Sequence, residues 1–122
     1  VDKFLNKINF FESIKSFDII IDDGSHILSD QLKTIDYFFK YLNKDGYYVI
    51  EDYRFSEYIP HLKDTDDPCL GEFFKILKKN NKKDFKFISA ETLENLKKNS
   101  SSIFEYKGNK ELSSIAFIKK LN

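Results

Sequence analysis

The sequence predicts an α/β fold in which a parallel βαβ unit is followed by helices and a carboxyl-terminal antiparallel hairpin. Three observations carry this reading. Two short apolar runs, residues 17–21 and 47–50, each stop at a pair of acids. One amphipathic stretch lies between them, and two further strand-like runs flank Gly108-Asn109-Lys110-Glu111. Strand, helix and strand within about 35 residues make the crossover unit of a parallel sheet, for which a right-handed connection is expected.

Taken in order, Leu5, Ile8, Phe11 and Ile14 recur every third residue, with Phe4 and Phe10 alongside, so residues 1–14 read as a helix. Phe17-Asp18-Ile19-Ile20-Ile21 is rich in β-branched residues and ends at Asp22-Asp23-Gly24-Ser25, the pattern of a strand buried on both faces and closed by a polar turn. From Leu28 the apolar positions Leu28, Leu32, Ile35, Phe39 and Leu42 fall on one helical stripe, while Asp30, Lys33, Asp36 and Lys40 fall opposite. Ser25 or Ser29 is expected to cap this helix, and Asn43-Lys44-Asp45-Gly46 to supply the turn that ends it. Tyr47-Tyr48-Val49-Ile50 is the second strand and runs into Glu51-Asp52. Residues 53–68, with Pro60, Pro68, Asp64, Asp66 and Asp67, form a long irregular connection, a type of segment that often carries function. Residues 69–79 read as a helix burying Leu70, Phe73, Phe74 and Leu77, residues 85–88 as a short strand, and residues 90–98 as a helix with Leu93 and Leu96 inward. Residues 102–107 and 112–119 complete the hairpin.

At 122 residues and 14.5 kDa, with 41% hydrophobic residues, the chain holds one domain at most. Its 20 basic and 20 acidic residues cancel, so no global field draws nucleic acid or an anionic membrane. The cluster Lys78, Lys79, Lys82, Lys83 and Lys86 reads as a solvated surface, since no stacking aromatics accompany it. Cys69 has no second cysteine to pair with, and no run approaches the roughly 18 apolar residues of a spanning helix. A cytoplasmic protein is expected. The chain contains no methionine and opens inside the pattern of an amphipathic helix, so it is expected to be a piece of a longer protein.

In an open parallel sheet, ligands bind beyond the carboxyl ends of the strands. Here those ends carry Asp22-Asp23 and Glu51-Asp52, and neighbouring strands lie about 4.8 Å apart, so three or four carboxylates crowd one pocket. Such crowding calls for a cation or for protons. An all-oxygen carboxylate set suits Mg²⁺, with Mn²⁺ or Ca²⁺ as replacements. His26 stands three residues after Asp23, where an imidazole can take a proton near neutral pH. Each motif alone also reads as ordinary turn, cap or loop chemistry; it is their coincidence at matched strand ends that singles out the pocket.

The run Phe17-Asp18-Ile19-Ile20-Ile21-Asp22-Asp23-Gly24-Ser25-His26, a helix, and Gly46-Tyr47-Tyr48-Val49-Ile50-Glu51-Asp52 resemble the metal-dependent class I S-adenosylmethionine O-methyltransferases. The sugar O-methyltransferases of macrolide biosynthesis are the nearest in pattern, and catechol O-methyltransferase is more distant. The resemblance is close over residues 17–52 and extends to the rest by element order. It implies the C-terminal half of a Rossmann-like methyltransferase sheet, with residues 1–122 forming the C-terminal part of one domain. It implies Asp23, Glu51 and Asp52 as Mg²⁺ ligands and His26 as the base that deprotonates a hydroxyl. Asp22 has no metal role in that pattern and is left as a cofactor contact near the sulfonium or as a turn cap. S-adenosylmethionine is the implied methyl donor. Yet the glycine-rich loop and ribose-binding acid that hold it in this family are missing from a chain with four separated glycines, so the cofactor-binding half is expected upstream.

The implied partner is a small hydroxylated acceptor such as a sugar or glycoside, with neither nucleic acid nor membrane involved and a homo-oligomer left open. Tyr53 and Arg54, directly after the acid pair, and His61 in the loop are the candidate acceptor contacts, Arg54 because its guanidinium can fork onto an anionic group. Cys69 reads as structural. Two other readings stay open: a carboxylate–Mg²⁺ phosphoryl-transfer or hydrolase site on another α/β fold, and a half-domain serving as a non-catalytic binding or dimerisation module.

Overall fold

The computed structural model describes residues 16–108 and 113–121. The helix expected over residues 1–14 and the tip of the hairpin at residues 109–112 lie outside them. A four-stranded sheet has the order β1-β2-β4-β3, from β1 (Phe17–Asp22), β2 (Leu42–Glu51), β3 (Ile103–Lys107) and β4 (Ser114–Lys119). β1 and β2 are parallel, and β4 lies antiparallel between β2 and β3. This is the expected α/β arrangement of a parallel βαβ unit, helices and a hairpin.

Among the described residues four α-helices accompany the sheet: α1 (Leu28–Phe38), the single turn α2 (Phe55–Tyr58), α3 (Leu70–Lys78) and α4 (Ala90–Lys98). Leu28, Leu32 and Ile35 of α1, then Phe39, meet Tyr48 and Ile50 of β2 and Ala116 and Ile118 of β4. Phe73, Phe74 and Leu77 of α3 and Leu96 of α4 close the same core. Truncating any of the buried phenylalanines is expected to cost about 3–5 kcal/mol. No helix among the described residues is long and apolar enough to cross a membrane.

The structure corrects four of the local expectations. β1 is not buried on both faces: among the described residues it lies at the edge of the sheet, and Ile19 and Ile21 are 60% and 61% exposed on the side opposite the core. Tyr47, Phe104 and Tyr106 continue that open face across the sheet. Residues 43–46 do not separate helix from strand. α1 ends at Phe38, a 3₁₀ turn follows at Phe39–Tyr41, and β2 already starts at Leu42. The register then jumps from Phe17 against Leu42 to Ile19 against Tyr47, so residues 43–46 bulge out opposite Asp18. Asn43 Nδ2 donates to Asp18 Oδ1 at 2.8 Å, and a Cβ on Gly46 would stand only 2.7 Å from the Asp18 carbonyl oxygen. The bulge needs a glycine there.

Residues 85–88 form no strand, because the Asp67 carboxylate takes the N–H groups of Lys86 and Phe87 that a neighbouring strand would use. Neither Ser25 nor Ser29 caps α1 as expected. The N-cap position is Ile27, which has no side-chain acceptor. By contrast, α4 spans the expected residues 90–98, with Ser89 accepting from Thr92 N–H at 3.3 Å. The helix expected over residues 69–79 runs from Leu70 to Lys78, with Cys69 and Lys79 as its caps.

Candidate metal centre

The parallel register places Asp22 against Ile50, so the turn after β1 and the acids closing β2 come level at one end of the sheet. There Asp23, His26 and Asp52 each offer a ligand atom, and these atoms all lie within 4.8 Å of one another. Glu51 adds a third carboxyl. The charge of Asp23, with some loss of hydration and a shared hydrogen bond to Asp23, pushes the Glu51 carboxyl above its ordinary range. Asp23, His26 and Asp52 therefore converge, and Glu51, outside that group of ligand atoms, stands against Asp23, whose like charge is the main reason its carboxyl is pushed up.

Backbone conformation makes the convergence possible. His26 has φ 62° and Asp52 has φ 54°, two of only four non-glycine residues with positive φ among those described. Such conformations cost about 1–3 kcal/mol each and concentrate at functional sites. At Asp52 the cost is offset by an anchor, since its N–H donates to Ser114 O at 2.7 Å and its carbonyl accepts from Phe55 N–H. The Phe55 ring then packs against the His26 imidazole with centroids 4.7 Å apart. Phe55 is a site residue that the sequence reading missed, and nothing in its spacing marks it out.

Asp22 caps the turn: Oδ1 accepts from Gly24 N–H at 3.1 Å. Its Oδ2 is buried without a partner among the described residues, and desolvation raises its pKa against the opposing pull of the Gly24 bond. Tyr53 is turned into the core at 2% exposure, against Phe74, and its hydroxyl donates to Glu105 Oε1 at 2.9 Å. Burial first, then that hydrogen bond, raises the phenol's pKa. Arg54 is engaged by Glu57, through Nε at 2.5 Å and Nη2 at 3.3 Å, and stacks over Tyr58. Tyr53 and Arg54 border a cleft of about 300 Å³ with Glu57, Lys75 and Glu105. His61 is exposed on the 3₁₀ turn Pro60–Leu62 and is not among the residues whose ligand atoms converge.

The chain is similar, over part of its length, to O-methyltransferases, one of them solved with Mg and SAH. No family profile matches. Among curated proteins, L-olivosyl-oleandolide 3-O-methyltransferase of Streptomyces antibioticus is 48% identical over 44 residues, which are 36% of this chain and 11% of that enzyme. Among solved structures, MycE methyltransferase from the mycinamycin biosynthetic pathway, in complex with Mg and SAH, superposes with a TM-score of 0.57 at 24% identity. Its complex with Mg, SAH and mycinamycin VI gives 0.58 at 25%. These matches cover 97% of this chain, which spans about 30% of the length of the solved proteins.

Proposed function

We propose that this chain is the C-terminal part of a Mg²⁺-dependent O-methyltransferase domain that moves a methyl group from S-adenosylmethionine to a hydroxyl of a sugar or other small metabolite. The observation that carries the reading is the convergence of Asp23, His26 and Asp52 within 4.8 Å, with Glu51 against Asp23, on a fold shared with a methyltransferase solved with Mg and SAH. The donor set fits the ion: carboxylate oxygens suit a hard divalent cation, and a positive charge there would relieve the repulsion between Asp23 and Glu51. When bound, Mg²⁺ supplies a Lewis acid that lowers the pKa of an acceptor oxygen, and S-adenosylmethionine supplies the electrophilic methyl group.

In this reading Asp23, Glu51 and Asp52 hold the ion, with Mn²⁺ able to replace Mg²⁺. His26 takes the proton of the acceptor hydroxyl, its ring steadied by Phe55. Asp22 keeps the turn in place through Oδ1, and its Oδ2, buried and unpartnered among the described residues, is the atom this reading leaves for the cofactor. Arg54 and His61 contact the acceptor from the segment after β2, with Arg54 preordered by Glu57, while the Tyr53 hydroxyl is committed to Glu105. The upstream half of the domain holds most of S-adenosylmethionine, and the protein works in the cytoplasm.

The test uses Mn²⁺ as a paramagnetic probe of the complete gene product, read by electron paramagnetic resonance, together with SAH release from S-adenosylmethionine over a panel of glycosides that includes mycinamycin VI. Expected are one Mn²⁺ site, lost in Asp23→Ala and Asp52→Ala, and SAH release abolished by EDTA and by His26→Ala. Mn²⁺ binding that survives both substitutions, or turnover indifferent to EDTA, would overturn the reading.

A further inference from the structure

The start of α1 is held by a residue that plays no part in the reading above. A helix leaves its first N–H groups unsatisfied, and a side chain at the N-cap position usually takes one of them. Ile27 cannot. Asp64, from the segment after the 3₁₀ turn Pro60–Leu62, does so from a distance: Ser29 N–H donates to its Oδ1 at 3.0 Å and Ser29 Oγ donates to its Oδ2 at 2.5 Å. Ser29 is buried at 6% exposure. Desolvation pushes the Asp64 carboxyl up, but the bonds from Ser29 outweigh it and the pKa falls below the ordinary range. A negative charge at a helix amino terminus is also favoured by the helix dipole.

The clamp sits three residues after His26, whose left-handed backbone is strained. Strain of that kind persists only where the surroundings over-determine it. The hydrogen bonds within the turn come from its own residues or from the first turn of α1: Gly24 N–H to Asp22, Ile27 N–H to Ser25 Oγ, and Ser25 Oγ–H to Asp30. Asp64 adds a hold from a different part of the chain. Its own segment is stiffened in turn, with Lys63 Nζ donating to Thr65 O, Asp67 N–H to Thr65 Oγ1, and the Lys86 and Phe87 amides to Asp67. We propose that Asp64 is a positioning residue for His26: its clamp on Ser29 fixes the turn that aims the imidazole, and so couples the segment after β2 to the base.

The inference rests on His26 acting as the base, and the test separates the two. In the complete gene product, Asp64→Ala, Asp64→Asn, Ser29→Ala and His26→Ala are compared by kcat and KM for SAH release, and by the ring resonances of His26 in ¹H–¹⁵N spectra. Asp64→Ala is expected to lower kcat about ten- to a hundredfold, the scale of a misaligned reacting group, while KM for S-adenosylmethionine stays within about twofold. It is also expected to shift the His26 ring signals as the ring leaves the face of Phe55. Asp64→Asn keeps an oxygen for Ser29 N–H and returns kcat to within about threefold of the parent, with Ser29→Ala between the two. If Asp64→Ala lowers only the melting temperature, leaving kcat and the ring signals in place, Asp64 is a helix cap and the proposal falls. If His26→Ala retains turnover, the base assignment falls instead, and the ring signals still decide whether the clamp exists.

Discussion

Replacing Asp23 by asparagine should change the protein's stability in opposite directions with and without a divalent cation. Asp23 and Asp52 have ligand atoms within 4.8 Å. Two like charges at that separation repel by about 0.9 kcal/mol in a water-like dielectric, which suits an exposed strand tip. Without cation, Asp23→Asn removes this repulsion and should raise the melting temperature by about 3 °C. With Mg²⁺ at about a hundred times its dissociation constant, the parent gains about 2.7 kcal/mol by mass action, and the variant forfeits most of that. The order of the two melting temperatures should therefore invert. A pH series adds a sign. Glu51 holds its proton more tightly in the folded chain than its ordinary value of 4.5 allows, chiefly because of Asp23. Its contribution is therefore fully present below pH 4.5 and is lost as pH rises through the higher folded value. Asp23→Asn should flatten that decline. Melting curves by circular dichroism in EDTA and in MgCl₂, at about pH 5 and about pH 7.5, measure all three effects. Equal Mg²⁺ shifts in both proteins, or a parent more stable than the variant in EDTA, would refute both the crowding and the cation site.

Tyr48 is fully buried and its hydroxyl has no partner among the described residues, so Tyr48→Phe should stabilise the fold by about 1 kcal/mol; a lower urea midpoint would show that the hydroxyl is in fact satisfied. Gly46→Ala should destabilise by about 1–3 kcal/mol, because the new Cβ would stand 2.7 Å from Asp18 O and 2.9 Å from Asn43 O, both backbone atoms that cannot step aside without parting β1 from β2. An unchanged urea midpoint would mean that the bulge tolerates a side chain.

The elements legible in the sequence are those specified by their own residues. The β-branched run ending at Asp22, the stripe from Leu28 to Ile35 and the helical span of α4 with Leu96 inward are local signals, and the structure follows them. The acids at the two strand tips were legible because a βαβ unit brings them level whatever the intervening loops do. What stayed hidden depends on partners far along the chain. Ser29 looked like a cap but is itself held by Asp64, and residues 85–88 looked like a strand until Asp67 took their amides. Tyr53 follows the acid pair and so resembled a contact residue. Its hydroxyl instead reaches Glu105 across the sheet, a pairing that no local pattern announces. Phe55 faces His26 only because Asp52 adopts a left-handed conformation and turns the chain back.

β4 is made after β3 yet is inserted between β3 and β2. Until it arrives, β2 has a bare edge on one side, and Asp52 lacks the Ser114 carbonyl that anchors its strained backbone. Pairings between segments so distant in the chain form slowly, because the loop must close before any contact rewards it. During synthesis the half-built sheet therefore passes through a stage in which β1 and β2 are joined but open to stray strands, a stage at which growing chains are prone to associate. Assembly of the acidic cluster becomes a late event in folding, and a protein stalled before β4 docks would keep its core helices while its strand tips remain unset.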